Sequence, residues 1–349
     1  MDNRRKNLIY SLILIVLIVG VWLYRNHQSG TEATTAGGQL VSFKGSTMGT
    51  YYEVTYGDKE ERNLQSGVDS LLKAFNQSLS TYIPSSEISR FNVETLLKYE
   101  SPFFYPVLKR SREIYEETHG AFDPTVGPLV NAWGFGPDGV ESSPSTKVLD
   151  SLKQLVNFDS IFFDSLAVCK MLPGMKLDFS AIAKGYGTDV VADYLHSKGL
   201  KNIYVNIGGE VRTYGQHPSG RPWRTGINTP STNTNEQNQA QAIMEITDRA
   251  VATSGNYRNY YERDGKLYSH TISPYTGQPV RHSLLSATVV APDCMTADAY
   301  ATAFMVVGLD SAKQLLQQQP EIEAYLIYSD GEGYAHWVSP GLEENLVRK

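Results

Sequence analysis

Cysteine is almost absent: Cys169 and Cys294 are the only two in 349 residues. Neither has zinc-ligand spacing or a group of histidines beside it, which excludes a zinc ribbon or finger. A disulfide framework is excluded as well. One bridge between the two remains open, since an oxidising compartment would permit it. Charge is also sparse, at 19% of residues with a net of −6, and no basic block recurs after the N-terminus. That argues against a nucleic-acid-binding surface. No 20–50-residue repeat is visible, which argues against a solenoid or propeller. Nor is there a Gly-x4-Gly-Lys-Ser/Thr phosphate loop.

What is present begins at the N-terminus. Arg4, Arg5 and Lys6 precede an apolar run from Leu8 to Tyr24, with no charge until Arg25. The run is about long enough to span a bilayer as a helix, and the basic cluster before it favours a cytoplasmic N-terminus. No small-x-small cleavage pattern follows, so the sequence predicts an uncleaved anchor rather than a signal peptide. No cysteine follows either, which excludes a lipid-modified lipoprotein. The expected organisation is a short cytoplasmic stretch (1–7), a transmembrane anchor (8–24), a polar spacer (25–40) and one large domain (41–349). Its spacer, NHQSGTEATTAGGQL, has few large apolar groups and suits a flexible link.

Within the domain, alternation at Gln39–Phe43 and Gly49–Tyr56 predicts a strand pair. Apolar spacing predicts helices over 63–79, 102–119, 147–154, 185–197, 295–307 and 311–318. Short strands are expected near 160–170, 175–179, 202–207, 223–227, 242–247, 267–272, 285–291, 324–328 and 335–338. Residues 231–241 read as a polar exposed loop, and Ser254–Tyr257 as a turn. Strands and helices mix without regular βαβ alternation, so the expected class is α+β with mixed sheets.

Two segments carry the chemistry. Asp178-Phe-Ser-Ala181-Ile-Ala-Lys184-Gly185-Tyr-Gly187 supplies a carboxylate, a lysine and glycines at a helix start, where free N–H groups favour anions. Met295-Thr-Ala-Asp298-Ala-Tyr-Ala301-Thr302 puts an acid and a hydroxyl one helical turn apart. Hard oxygen donors of that kind suit Mg²⁺ beside a substrate phosphate. Gly208-Gly209-Glu210, at a strand end, reads as a bulge or a place of close ligand approach. His270, in Ser269-His-Thr-Ile272-Ser273-Pro274, has the most suggestive surroundings of seven histidines, although the residues alone do not select it as a base.

Taken in order, these motifs resemble the ApbE family of FAD:protein FMN transferases. The match runs from 42 to about 310. It includes Ser46-Thr-Met48-Gly-Thr50, Leu79-Ser-Thr-Tyr82, Ser86-Glu-Ile-Ser-Arg-Phe-Asn92, Gly120-Ala121-Phe122-Asp123-Pro-Thr-Val-Gly-Pro-Leu129 and Trp133-Gly-Phe-Gly136. It continues through Asp178–Gly187, Asn206–Glu210, Thr253–Tyr257, His270–Pro274 and Met295–Thr302. The resemblance implies an α+β fold of the family's own type, with FAD as substrate and Mg²⁺ as cofactor. It implies FAD contacts from Met48, Tyr82, Ala121, Phe122, Asp123, Asp178, Lys184 and Ile272. It implies metal ligation by the Ala181 carbonyl, Asp298 and Thr302 with help from Ala301, and a base at His270. The family often reads His-Ile-Ile-Asp-Pro, where this chain has Ser273 in place of the acid. The implied reaction moves FMN from FAD to a threonine or serine hydroxyl of a partner flavoprotein, releasing AMP. Subunits of membrane-bound redox complexes would suit as partners, with the domain on the periplasmic side of a bacterial inner membrane. The same residues would also serve an FAD diphosphatase yielding FMN and AMP, or a flavin-binding protein without turnover. A structural envelope protein whose motifs are only turns is the reading furthest from these residues.

Overall fold

A computed structural model of the protein describes residues 38–137, 143–228, 240–256, 260–263, 266–331 and 333–347. The expected anchor at 8–24 lies outside these residues, as do most of the polar loop at 231–241 and Tyr257. Among the described residues, no helix is long and apolar enough to cross a membrane.

Eight strands make the main sheet: β1 (Gln39–Thr47), β2 (Thr50–Asp58), β3 (Ile203–Ile207), β4 (Glu210–Tyr214), β5 (Ala250–Gly255), β6 (Leu284–Ala291), β7 (Glu323–Ser329) and β8 (Tyr334–Val338). They lie side by side in chain order, and every neighbouring pair is antiparallel. The sheets are therefore antiparallel rather than mixed. Two smaller sheets and one hairpin are also antiparallel. The strand expected at 175–179 is absent: Lys176 makes only an isolated parallel bridge to Val126. Ser254 and Gly255 do not form a turn but complete β5, paired to Ala287 and Ser286.

Two hairpins explain why short motifs take fixed positions. β1 and β2 are joined by Met48-Gly49 alone, with φ of 50° and 71°, and Thr47 pairs with Thr50. A two-residue hairpin of this twist needs positive φ at both central positions, a conformation uncommon for methionine. β3 and β4 are joined by Gly208-Gly209, with φ of 64° and 115°, so that Ile207 pairs with Glu210.

The helices are α1 (Gln65–Leu79), α2 (Glu87–Val93), α3 (Phe104–Glu117), α4 (Gly127–Ala132), α5 (Thr146–Lys153), α6 (Ala183–Ser197), α7 (Cys294–Val307) and α8 (Leu309–Gln317). α7 is apolar nearly all round, as expected of a helix buried in a core. Its Ala297, Ala299, Ala301 and Ala303 are fully buried in the main hydrophobic cluster, where they let α6, β5 and β6 approach closely. The glycines of the first motif serve the same end. They lie within α6 rather than in a phosphate loop: a Cβ on Gly185 would collide with the Cys294 carbonyl, and one on Gly187 would meet Met48 Cε. Cys169 and Cys294 are both free thiols.

Candidate active site

The first turn of α6 and the second turn of α7 meet at a buried charge cluster. Lys184 Nζ donates to Glu210 Oε1 at 2.7 Å and stands 3.5 Å from Asp298 Oδ1. Asp298 Oδ2 accepts from the Gly185 amide at 2.9 Å. Gly185 is the third residue of α6, so its amide lacks a partner within the helix and Asp298 supplies one; Ala181 lies just before the helix, its carbonyl outside the helical ladder. Thr302, one turn beyond Asp298, is 3.0 Å from the Ser254 hydroxyl. Ala301 lies wholly in the core. Burial alone would lower the Lys184 pKa, but Asp298 and Glu210 outweigh it and hold the ammonium charged, above its ordinary value. Burial pushes the Glu210 carboxyl up, against the pull of Lys184.

This donor set fits Mg²⁺. It offers a carboxylate, a hydroxyl and a backbone carbonyl, all hard oxygens. Among the described residues, no three His, Cys, Asp or Glu side chains gather as a metal cage. Two carboxylates face one ammonium, so the cluster has a negative excess. Among the described residues, the buried Glu210 Oε2 has no hydrogen-bond partner. An uncompensated buried charge is costly, and a cation would balance it.

α6 and α7 are clamped in both directions. Just as Asp298 of α7 holds an amide of α6, Asp189 of α6 holds two of α7, those of Cys294 and Met295, at 2.9 and 2.8 Å. Asp293 caps the same helix end through the Thr296 amide, at 2.7 Å. Burial and then Asp293 raise the Asp189 carboxyl to about 8. Arg212 lies 3.8 Å from Asp189 and bonds the Pro292 carbonyl. The motif reading missed Asp189, Asp293 and Arg212. One signal was available: Asp189 is an acid directly followed by the apolar Val190, Val191 and Ala192.

The remaining expected residues fall into two groups. Asp178 and Asp123 are joined through backbone, since the Asp178 amide donates to the Pro124 carbonyl at 2.7 Å. Asp123 Oδ1 accepts from both the amide and the hydroxyl of Thr125, at 2.7 and 2.6 Å, and burial raises its carboxyl to about 6. Ala121 and Phe122 are buried in the main core, so the backbone is what they can offer a ligand. Tyr82 is exposed; partial loss of hydration and then the Asp178 charge hold its phenol above the ordinary value. A cleft of about 170 Å³ opens here, lined by Thr81, Asn92, Gly127, Lys176 and Asp178. It has room for part of a dinucleotide, since sites for drug-sized ligands are larger. Met48 borders the α6 side through its contact with Gly187.

His270 and Ile272 belong to the other group. The His270 ring lies 6.5 Å from that of Phe135. Ile272 is buried against Leu129, Trp133 and Leu149. Ser273 takes part in a turn: its amide bonds Gln278, its carbonyl accepts from Gly277, and its hydroxyl accepts from the Thr276 amide. Trp133 Nε1 pins this turn through the Gly277 carbonyl at 2.8 Å. Tyr275 reaches across to the His119 carbonyl at 3.0 Å, joining the turn to the segment that leads into Asp123.

The fold is an antiparallel α+β domain with buried acids around a lysine, and a family model says which class of protein carries it. The chain belongs to the ApbE family, whose model matches residues 48–326. The FAD:protein FMN transferase of Vibrio cholerae serotype O1 is 40% identical over 320 residues, covering 89% of this chain and 94% of its own. That of Escherichia coli K12 is 34% identical over 330 residues, covering 92% and 93%. Among solved structures, the flavin transferase ApbE from Vibrio cholerae superposes with a TM-score of 0.76 at 37% identity, covering 88% of this chain and 99% of that one. The apo form of Pseudomonas stutzeri flavinyl transferase ApbE gives 0.79 at 34% identity, covering 88% and 97%.

Proposed function

We propose that this chain is an FAD:protein FMN transferase that moves FMN from FAD to a threonine or serine hydroxyl of a partner flavoprotein and releases AMP. The observation that carries the reading is the Lys184–Glu210–Asp298 cluster, at the meeting of three family motifs, in a chain that covers nearly the full length of its relatives. In the transfer, the acceptor oxygen bonds to the phosphorus on the FMN side and the bond from that phosphorus to the AMP phosphate breaks. His270 takes the hydroxyl proton. Lys184 offers positive charge to the diphosphate as the AMP phosphate leaves. Asp298, Thr302 and the Ala181 carbonyl would hold Mg²⁺, which supplies further charge to the leaving phosphate. Met48, Tyr82, Asp178, Ile272 and the Ala121–Asp123 segment would hold FAD.

Residues 8–24 anchor the protein in the inner membrane and 25–40 link the anchor to a periplasmic domain at 41–349. The partner is then a subunit of a membrane redox complex. The test is incubation with FAD, Mg²⁺ and a threonine-bearing acceptor. Flavin covalently bound to the acceptor supports transfer, free FMN alone indicates a diphosphatase, and unchanged FAD indicates a carrier. Fractionation tests the anchor: full-length protein recovered as a shortened soluble species would show cleavage instead.

A further inference from the structure

Glu210 lies outside the set of residues that the family motifs assign to FAD or metal. It is the first residue of β4, the residue is 3% exposed, and its position is fixed by the Gly208-Gly209 turn. At Gly208 a Cβ would stand 2.8 Å from Thr50 Cγ2, so the turn has no room there for a side chain. Oε1 of Glu210 is engaged with Lys184; among the described residues, Oε2 has no hydrogen-bond partner. Lys184 is thus the group this carboxylate holds.

Asp298 is the second acid within reach of that ammonium. Its Oδ2 is taken by the Gly185 amide, which leaves Oδ1 as the oxygen a cation would use. Oδ1 is also the oxygen that faces Lys184, at 3.5 Å against 2.7 Å for Glu210. Lys184 and a divalent cation therefore compete for one atom.

We propose that Glu210 is a positioning residue that draws the Lys184 ammonium off Asp298 Oδ1 and so keeps that oxygen open to a divalent cation. This rests on the reading of Asp298 as a metal ligand. Without Glu210, Lys184 closes on Asp298. Contraction from 3.5 Å to contact strengthens that pair enough to weaken a competing cation roughly tenfold at an effective dielectric near 20.

The experiment is calorimetric titration of the full chain with Mg²⁺, without FAD. Glu210→Ala should raise the apparent Kd about tenfold, and Lys184→Met in the same chain should restore it to the wild-type value or below. Glu210→Gln keeps the shape and should shift the Kd in the same direction by less, which serves where the alanine variant does not fold. Wild-type affinity in the Glu210 variants, or a double variant no tighter than Glu210→Ala, overturns the inference while leaving Asp298 as ligand. Asp298→Ala should abolish binding. If it instead binds Mg²⁺ like wild type, the metal reading itself fails and the inference falls with it.

Discussion

Lys184, Glu210 and Asp298 project from the first turn of a helix, the first residue of a strand and the second turn of another helix. By contrast, His270, Ile272 and Ser273 lie on the connection between a hairpin and β6. The first group is fixed by hydrogen bonds between regular elements, among them the reciprocal clamp of Asp298 with Gly185 and Asp189 with Cys294 and Met295. The second is fixed by turn bonds among Thr271, Ser273, Gly277, Gln278 and Val280 and by apolar packing under Ile272. Charges taken out of water are tolerable only where partners meet them in fixed geometry. On the loop, turn bonds and the apolar packing under Ile272 do the placing.

If that division is right, substitutions on the charged side should cost most. Asp298→Ala should lower Mg²⁺-dependent transfer by at least about 10²-fold while the protein remains folded. Near-wild-type turnover at saturating Mg²⁺ would remove Asp298 from the site. On the loop side, His270→Asn should slow transfer by about 10²-fold or more, the range of a positioned general base, and leave FAD affinity unchanged. An undiminished rate would show that another group accepts the proton.

Packing gives a smaller contrast. Gly185→Ala would drive a methyl into the Cys294 carbonyl and to 2.7 Å from Asp298 Cβ, where neither neighbour yields. A loss of about 1–3 kcal/mol is expected in denaturant melts. Gly187→Ala meets chiefly Met48 Cε, at 2.5 Å. That is the free end of a flexible side chain, so the loss should stay below about 1 kcal/mol. Equal losses would mean that the α6–α7 contact is not the tighter one.

The last contrast concerns Asp123. Burial raises its carboxyl from an ordinary 3.8 to about 6, so the folded protein keeps a proton that the unfolded chain has already lost. The resulting stability is complete below about pH 4 and is lost as pH rises through about 6. Asp123→Asn retains an Oδ1 for both Thr125 bonds and removes the charge. Its stability should be flat over that window and exceed that of wild type at pH 7 by up to about 3 kcal/mol. A variant with the wild-type slope would place the titrating group elsewhere.

Much of this was legible in the sequence. Helix α7 and the approach of Asp298 to the Asp178–Gly187 segment followed from periodicity and motif chemistry. The sense of Gly185 and Gly187 did not, because a glycine needed for helix contact reads the same as one needed for a phosphate. Strand β4 was missed because Glu210–Tyr214 is short and follows two glycines. The pairing of Glu210 with Lys184 depends on a hairpin whose register no local pattern reveals. The reading of 175–179 as a strand failed because its apolar residues, Met175, Leu177 and Phe179, alternate into the core without a neighbour to form a ladder.

The main sheet follows chain order, yet the chain leaves it after Asp58 and returns only at Ile203. The hairpins on either side of this gap close over two residues each, which takes microseconds. The seam between them, from Tyr52–Ile207 to Tyr56–Ile203, requires the whole intervening excursion to be gathered first, and ring closure over such a length is slow. Thr50 meets Gly208 across this seam, and Met48 meets Gly187 beside it. Catalytic competence should therefore be the last property gained during refolding, trailing the recovery of helical signal.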